Sequence, residues 1–160
     1  MLAVACSNDS SGTNEVGTRD IKEKVHAYSV GNFEDVSASI TSHELIVTEN
    51  GKKTSFNLPE DEFFVSIAPF IEHTHECAIH SLTGCQGELV EKEFDVHIQD
   101  EKGTVVLDDK MTSYKNGFID LWLPRDQKYQ VKIEYEGKTV EAEISTYKDD
   151  NTCISTMQLT

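Results

Sequence analysis

Ile21, Val25 and Tyr28 recur at i, i+4 and i+7, which places them on one face of a helix running from Asp20 to about Ser29. Asp20 suits the N-cap, and Gly31-Asn32 would end the helix. The period then changes to two. Ser39–Thr48 and Thr54–Leu58 flank Glu49-Asn50-Gly51-Lys52, and Asn-Gly between β-rich runs signals a hairpin. Phe63–Ile67 reads as another strand, closed by Pro69. Beyond residue 90 the β signals become regular. Phe94, Val96 and Ile98 alternate with polar residues, and Asp100-Glu101-Lys102-Gly103 turns the chain into Thr104–Leu107. Lys115-Asn116-Gly117 leads into Phe118–Leu123. Tyr129, Val131, Ile133 and Tyr135 alternate, Glu136-Gly137-Lys138 turns, and Val140, Ala142 and Ile144 alternate back. Cys153, Ser155, Met157 and Leu159 share one face of a final strand. This pattern predicts an α+β chain: a short N-terminal helix and β-hairpin, then an antiparallel β-sandwich.

Residues 69–90 interrupt the pattern with little apolar period, three His, two Cys and two Gly. They read as a long loop with one helical turn, and loops of this length in a compact domain tend to carry function. The division expected along the chain is therefore a start and tether over 1–19, a helix and hairpin region over 20–62, and a sandwich bearing the loop over 63–160.

Charge narrows the partners. The formal net charge of −15 repels phosphate backbones and gives no polybasic hold on anionic lipid, so no nucleic acid is expected. No run approaches the ~18 apolar residues of a membrane span. Leu2-Ala3-Val4-Ala5-Cys6-Ser7-Asn8 has the form of the end of a bacterial lipoprotein signal, without the basic region and most of the apolar stretch. The expectation is a truncated or misassigned start and a lipidated Cys6. Residues 7–18 would be its flexible tether, and the location extracytoplasmic.

Removing Cys6 leaves Cys77, Cys85 and Cys153, an odd number outside the cytoplasm. The dense cluster is His73-Thr74-His75-Glu76-Cys77-Ala78-Ile79-His80, followed by Cys85. In an extended stretch His73, His75 and Cys77 would face one way, while Cys77 and His80 suit one helical turn. Thiolates select Cu(I), zinc or iron–sulfur clusters, and imidazole suits zinc and copper. The Cys77–Cys85 spacing exceeds the short C-x2-4-C pattern of zinc sites, and three Cys are too few for a four-cysteine cluster. Cu(I) needs only a few soft ligands. A disulfide between Cys77 and Cys85, or between Cys85 and Cys153, remains the alternative reading. His26, His43 and His97 fall at surface positions, Met157 at a core position with a soft ligand near Cys153 as its alternative, Trp122 at a core or interface position, and Asp108-Asp109 and Asp149-Asp150 in turns. No nucleophile elbow, phosphate loop or dinucleotide fingerprint is present.

Four separated motifs carry a family resemblance. They are Phe64-Val65-Ser66-Ile67-Ala68-Pro69-Phe70, the run from Thr74-His75 through Cys77, His80-Ser81-Leu82-Thr83 and Cys85 to Gly87-Glu88, Asn116–Pro124, and Thr152-Cys153. Together they resemble the CueP family of periplasmic copper-resistance proteins, over about residues 21–160. The resemblance implies copper as the bound metal, with Cys77, Cys85 and Cys153 as principal ligands and His75 and His80 as neighbours. It implies storage, buffering or delivery of copper to an accepting metalloenzyme, with reduction of Cu(II) by the thiols as an alternative activity. That activity would need an external thiol reductant. A homodimer is a further expected partner state. Glu76 stands where better-known members have Pro, and the lipoprotein-like start also departs from the family pattern. A structural lipoprotein domain without metal is the remaining rival.

Overall fold

The computed structural model describes residues 18–160; the lipobox-like Cys6 and its tether lie outside the described residues. Helix α1 spans Thr18–Val30 and is followed by eleven strands. They are β1 Val36–Ile40, β2 Glu44–Glu49, β3 Lys52–Asn57, β4 Glu62–Ile67, β5 His80–Ser81, β6 Glu93–Asp100, β7 Val105–Thr112, β8 Ile119–Pro124, β9 Lys128–Tyr135, β10 Lys138–Ser145 and β11 Cys153–Ile154. Three sheets result, in the orders β3-β2-β1-β5, β10-β9-β6-β7 and β11-β4-β8.

The three-stranded sheet is the centre of the molecule because both of its faces are buried. Phe63, Val65 and Ile67 of β4 point toward Phe94, Val96 and Ile98 of β6 and Val131 and Ile133 of β9. The intervening Phe64 points the other way, into a second core with Ile21 and Val25 of α1 and Ile40 and Leu45 of the N-terminal sheet. Double burial explains why β4 reads as a continuous apolar run rather than an alternation. The β10-β9-β6-β7 sheet faces the core on one side only, so its strands alternate: β9 is exposed at Lys128 and Gln130 and buried at Tyr129 and Val131. Asn50-Gly51 and Glu136-Gly137 both hold two successive positive φ values, 50° and 76° and then 47° and 78°, the geometry of a tight hairpin turn.

The β-rich fold with one short helix agrees with the sequence reading, and several details differ. The Ser39–Thr48 run is two antiparallel strands, broken because the Thr41 hydroxyl accepts the amides of His43 and Glu44 at 3.4 and 3.1 Å and turns the chain. Strand β7 runs on to Thr112, although its side chains are largely exposed, because it is paired with β6 along its length. The final strand is only two residues long and pairs parallel with β4, Cys153 opposite Ser66 and Ile154 opposite Ile67, so the architecture is not wholly antiparallel. Beyond it, the predicted inward face persists: Ser155, Met157 and Leu159 are buried, and Leu159 donates its amide to Phe70 at 2.7 Å. The helical turn expected between Cys77 and His80 is not formed: the chain bends at Ala78 and Ile79 and becomes strand at His80. There β5 adds to the edge of β1, with His80 opposite Ile40 and Ser81 opposite Ser39.

Candidate metal centre

The Cys/His segment has little regular structure of its own and takes its shape from three neighbours. At His80 it becomes a strand on β1, and the His80 amide also donates to the Thr152 hydroxyl at 3.0 Å. That hydroxyl in turn donates to Ile40 O at 2.6 Å, so Thr152 ties β5, β1 and the approach to β11 together. Ala78 O accepts the amides of Thr152 and Cys153 at 3.0 and 3.2 Å, which places Cys77 beside Cys153 although they are far apart in sequence. Between Ser81 and Cys85 the chain closes a tight turn, Cys85 N–H to Ser81 O at 3.1 Å, and Gly84 fits there because a Cβ would stand 2.9 Å from the Ser81 hydroxyl. The turn returns Cys85 to the same side as Cys77.

The result is a compact donor set. One atom from each of Cys77, His80, Cys85 and Cys153 lies within 4.8 Å of the others. The three cysteines are free thiols, and the Cys77 and Cys85 sulfurs are 3.4 Å apart. Cys153 is buried with Ala68 and Phe118 in a small third core, while Cys77 and Cys85 are half-buried against it. His80 is fully buried, its ring 4.6 Å from that of Phe118 and 6.1 Å from that of Phe64. Neither of its ring nitrogens has a hydrogen-bond partner. A buried imidazole without partners is costly, because each polar atom has lost water and gained nothing. A metal ion among the three sulfurs would supply the missing contact to one nitrogen.

The thiols differ in proton affinity. Cys85 is pushed down to about 3, chiefly because the Cys153 thiol acts as proton donor to it, against the opposing effect of burial. The His80 ring, close to Cys85 but not aligned for a hydrogen bond, the Ser81 amide at 3.4 Å and Cys77 add to the same effect. Cys153 is correspondingly raised, through the proton it holds against Cys85 and through burial. Burial is also the main reason that Cys77 is raised. Cys85 is therefore the thiol that ionises first, and the thiolate is the nucleophilic and metal-seeking form.

The structure brings together four of the five residues singled out for metal: Cys77, Cys85, Cys153 and His80. His75 is exposed and is not among the converging donors. His73 falls instead beside Glu72 and Glu88 on the surface. His97 lies 3.6 Å from Asp108, His43 4.0 Å from Glu44, and His26 3.4 Å from the Tyr114 hydroxyl, all outside the site. Met157 is core, and Trp122 packs half-buried against Phe64. Sequence reasoning missed Thr152 as the residue that aligns His80 with Cys153; its signal was its place beside Cys153 in the last family motif. The aromatic walls Phe64 and Phe118 were read as strand and family-motif residues, not as walls of the site.

A β-rich fold with a thiol–imidazole cluster able to hold a metal ion defines the class: a metal-binding domain whose donors come from one loop and two short strands. The family model "Periplasmic copper-binding protein CueP" matches residues 20–158, and the chain belongs to that family. The solved structure "Crystal Structure of S.CueP" is similar to it, at 38% identity and a TM-score of 0.83, over 88% of this chain and 89% of that one. No curated protein sequence matches the chain. The family is periplasmic and copper-binding, and no described helix is long and apolar enough to cross a membrane.

Proposed function

We propose that the chain binds a single Cu(I) ion in the cell envelope through Cys77, Cys85 and Cys153, with His80 as an imidazole donor, and thereby sequesters, buffers or delivers copper in copper resistance. The observation that carries this reading is the fully buried His80, whose two nitrogens lack partners while three sulfurs converge on it. A sulfur-rich set favours the soft Cu(I) ion over harder cations. The half-buried Cys77 and Cys85 give the ion a way in from solvent, and the buried Cys153 and His80 hold it on the inner side. Attachment through a lipidated Cys6 would keep this domain at a membrane surface, and mass spectrometry of the native N-terminus tests that point. The metal reading is tested by anaerobic titration of the reduced protein with Cu(I) against a chromophoric chelator. Cu(I) should bind much more tightly than Zn(II); equal affinities would contradict it.

The 3.4 Å approach of the Cys77 and Cys85 sulfurs favours a second reading, thiol-dependent reduction of Cu(II). Two Cu(II) ions would each take one electron, Cys77 and Cys85 as thiolates would give one electron each and join as a disulfide, and two Cu(I) ions would result. One would remain with Cys153 and imidazole and the other would leave. An external dithiol would then restore the thiols by exchange. Loss of the Cu(II) paramagnetic resonance signal, with a Cys77–Cys85 disulfide in the product, is the expected observation; a persistent signal with intact thiols would contradict it.

A further inference from the structure

The segment Cys85–Glu88 is held from two sides. Gly87 donates its amide to Asn116 O at 2.6 Å, and the chains cross so closely that a Cβ on Gly87 would stand 2.8 Å from Gly117 O. This crossing anchors the segment on the turn that leads into Phe118, the ring that packs on His80. Glu88 reaches the opposite way. Its carboxylate accepts the amide of Ile71 at 2.6 Å, that of His73 at 3.0 Å and that of Glu72 at 3.2 and 3.3 Å.

Those three consecutive amides open the arm that runs on to Cys77. Residues 72–76 of that arm are exposed, so packing does little to fix them. Among the described residues, its hydrogen bonds to the rest of the fold are those to Glu88, the one from the Thr74 hydroxyl to Ser155 O and, at its start, the one that Ile71 O accepts from Gln158 Nε2 at 2.9 Å. Bonds from amides to an ionised carboxylate are stronger than neutral ones, and three of them on one anion fix a backbone path. We propose that Glu88 is a positioning residue of the metal site: its carboxylate ties the arm bearing Cys77 to the arm bearing Cys85, so that the two sulfurs are already in contact when copper arrives.

This role rests on the copper-binding reading and deepens it. Glu88 touches no converging donor and acts only through the backbone of the Cys77 arm. Its test is a double-mutant cycle read by Cu(I) affinity under chelator competition, with wild type, Glu88→Ala, Cys77→Ser and the double variant. Glu88→Ala should weaken Cu(I) binding by roughly tenfold, the lower range for residues that orient metal ligands. In the Cys77→Ser background the same change should add almost nothing. Glu88→Gln keeps one acceptor oxygen and should recover part of the loss. If Glu88→Ala does not fold, Glu88→Gln replaces it in the cycle with a smaller loss and the same dependence on Cys77. An unchanged affinity for Glu88→Ala, or an equal loss with and without Cys77, would overturn the positioning role alone. A Cys77→Ser protein that binds Cu(I) as tightly as wild type would overturn the copper-site reading as well.

Discussion

The metal site has two unlike halves. Cys153 and His80 are buried, are placed by pairing with β4 and β1, and are bound to each other's surroundings through Thr152. Cys77 and Cys85 are half-buried on the loop and are placed by turns, by Ala78 O and by the Glu88 carboxylate. The inner half is held by sheet hydrogen bonds and core packing and changes little without disrupting the fold. The outer half is held by local hydrogen bonds. Specificity for a soft ion and preformed geometry come from both, through the sheets in the inner half and through local hydrogen bonds in the outer one.

The largest effect should come from the inner sulfur. Cys153→Ser should weaken Cu(I) binding by more than about a hundredfold, beyond the range seen when only an orienting residue is lost. Chelator competition under anaerobic, reducing conditions measures it. A loss no greater than that for an exposed histidine would erase the distinction between the halves.

His80→Leu separates stability from binding. It removes two buried nitrogens that have no partners. The apo protein should therefore gain about 1 kcal/mol, since relieving an unsatisfied buried group is favourable. Cu(I) affinity should fall roughly tenfold with the donor gone. Thermal melting of the apo form and chelator competition read the two effects. A destabilised apo protein with unchanged copper affinity would mean that His80 is a packing residue.

Proton release sharpens the contrast among the sulfurs. Cys85, the most easily ionised of the three, should bind copper without first losing a proton across the neutral and mildly acidic range. Cys77 and Cys153 are raised and must each give up a proton to bind. Copper uptake near pH 6 should release about two protons rather than three, and affinity should fall as pH falls. Alkylation mapped by mass spectrometry should label Cys85 first at pH 5. Preferential labelling of Cys77 there would reverse the assignment. The smallest effect belongs to His75, exposed and outside the donor set: His75→Ala should leave Cu(I) affinity within about twofold, because no converging donor is lost.

The two halves also differ in how plainly they could be read from residues alone. Period-two runs such as Tyr129–Tyr135 and the Asn50-Gly51 turn declared strands and hairpins, because alternation follows directly from one buried face. The thiols were legible as a group through their odd number and their family motifs. His75 and His80 could not be told apart, since one-dimensional spacing says nothing of burial. The distinction arises only when β5 docks on β1 and puts His80 between Phe64 and Phe118. Thr152 and the parallel pairing of β11 are likewise products of distant contacts, with no local periodicity to announce them.

X-ray absorption at the copper edge on the anaerobic Cu(I)-loaded protein tests the central claim most directly. The site should give a coordination shell dominated by sulfur with one imidazole, and the imidazole contribution should vanish in His80→Leu but persist in His75→Ala. A shell of nitrogen and oxygen without sulfur, or an imidazole signal lost with His75 rather than His80, would contradict it.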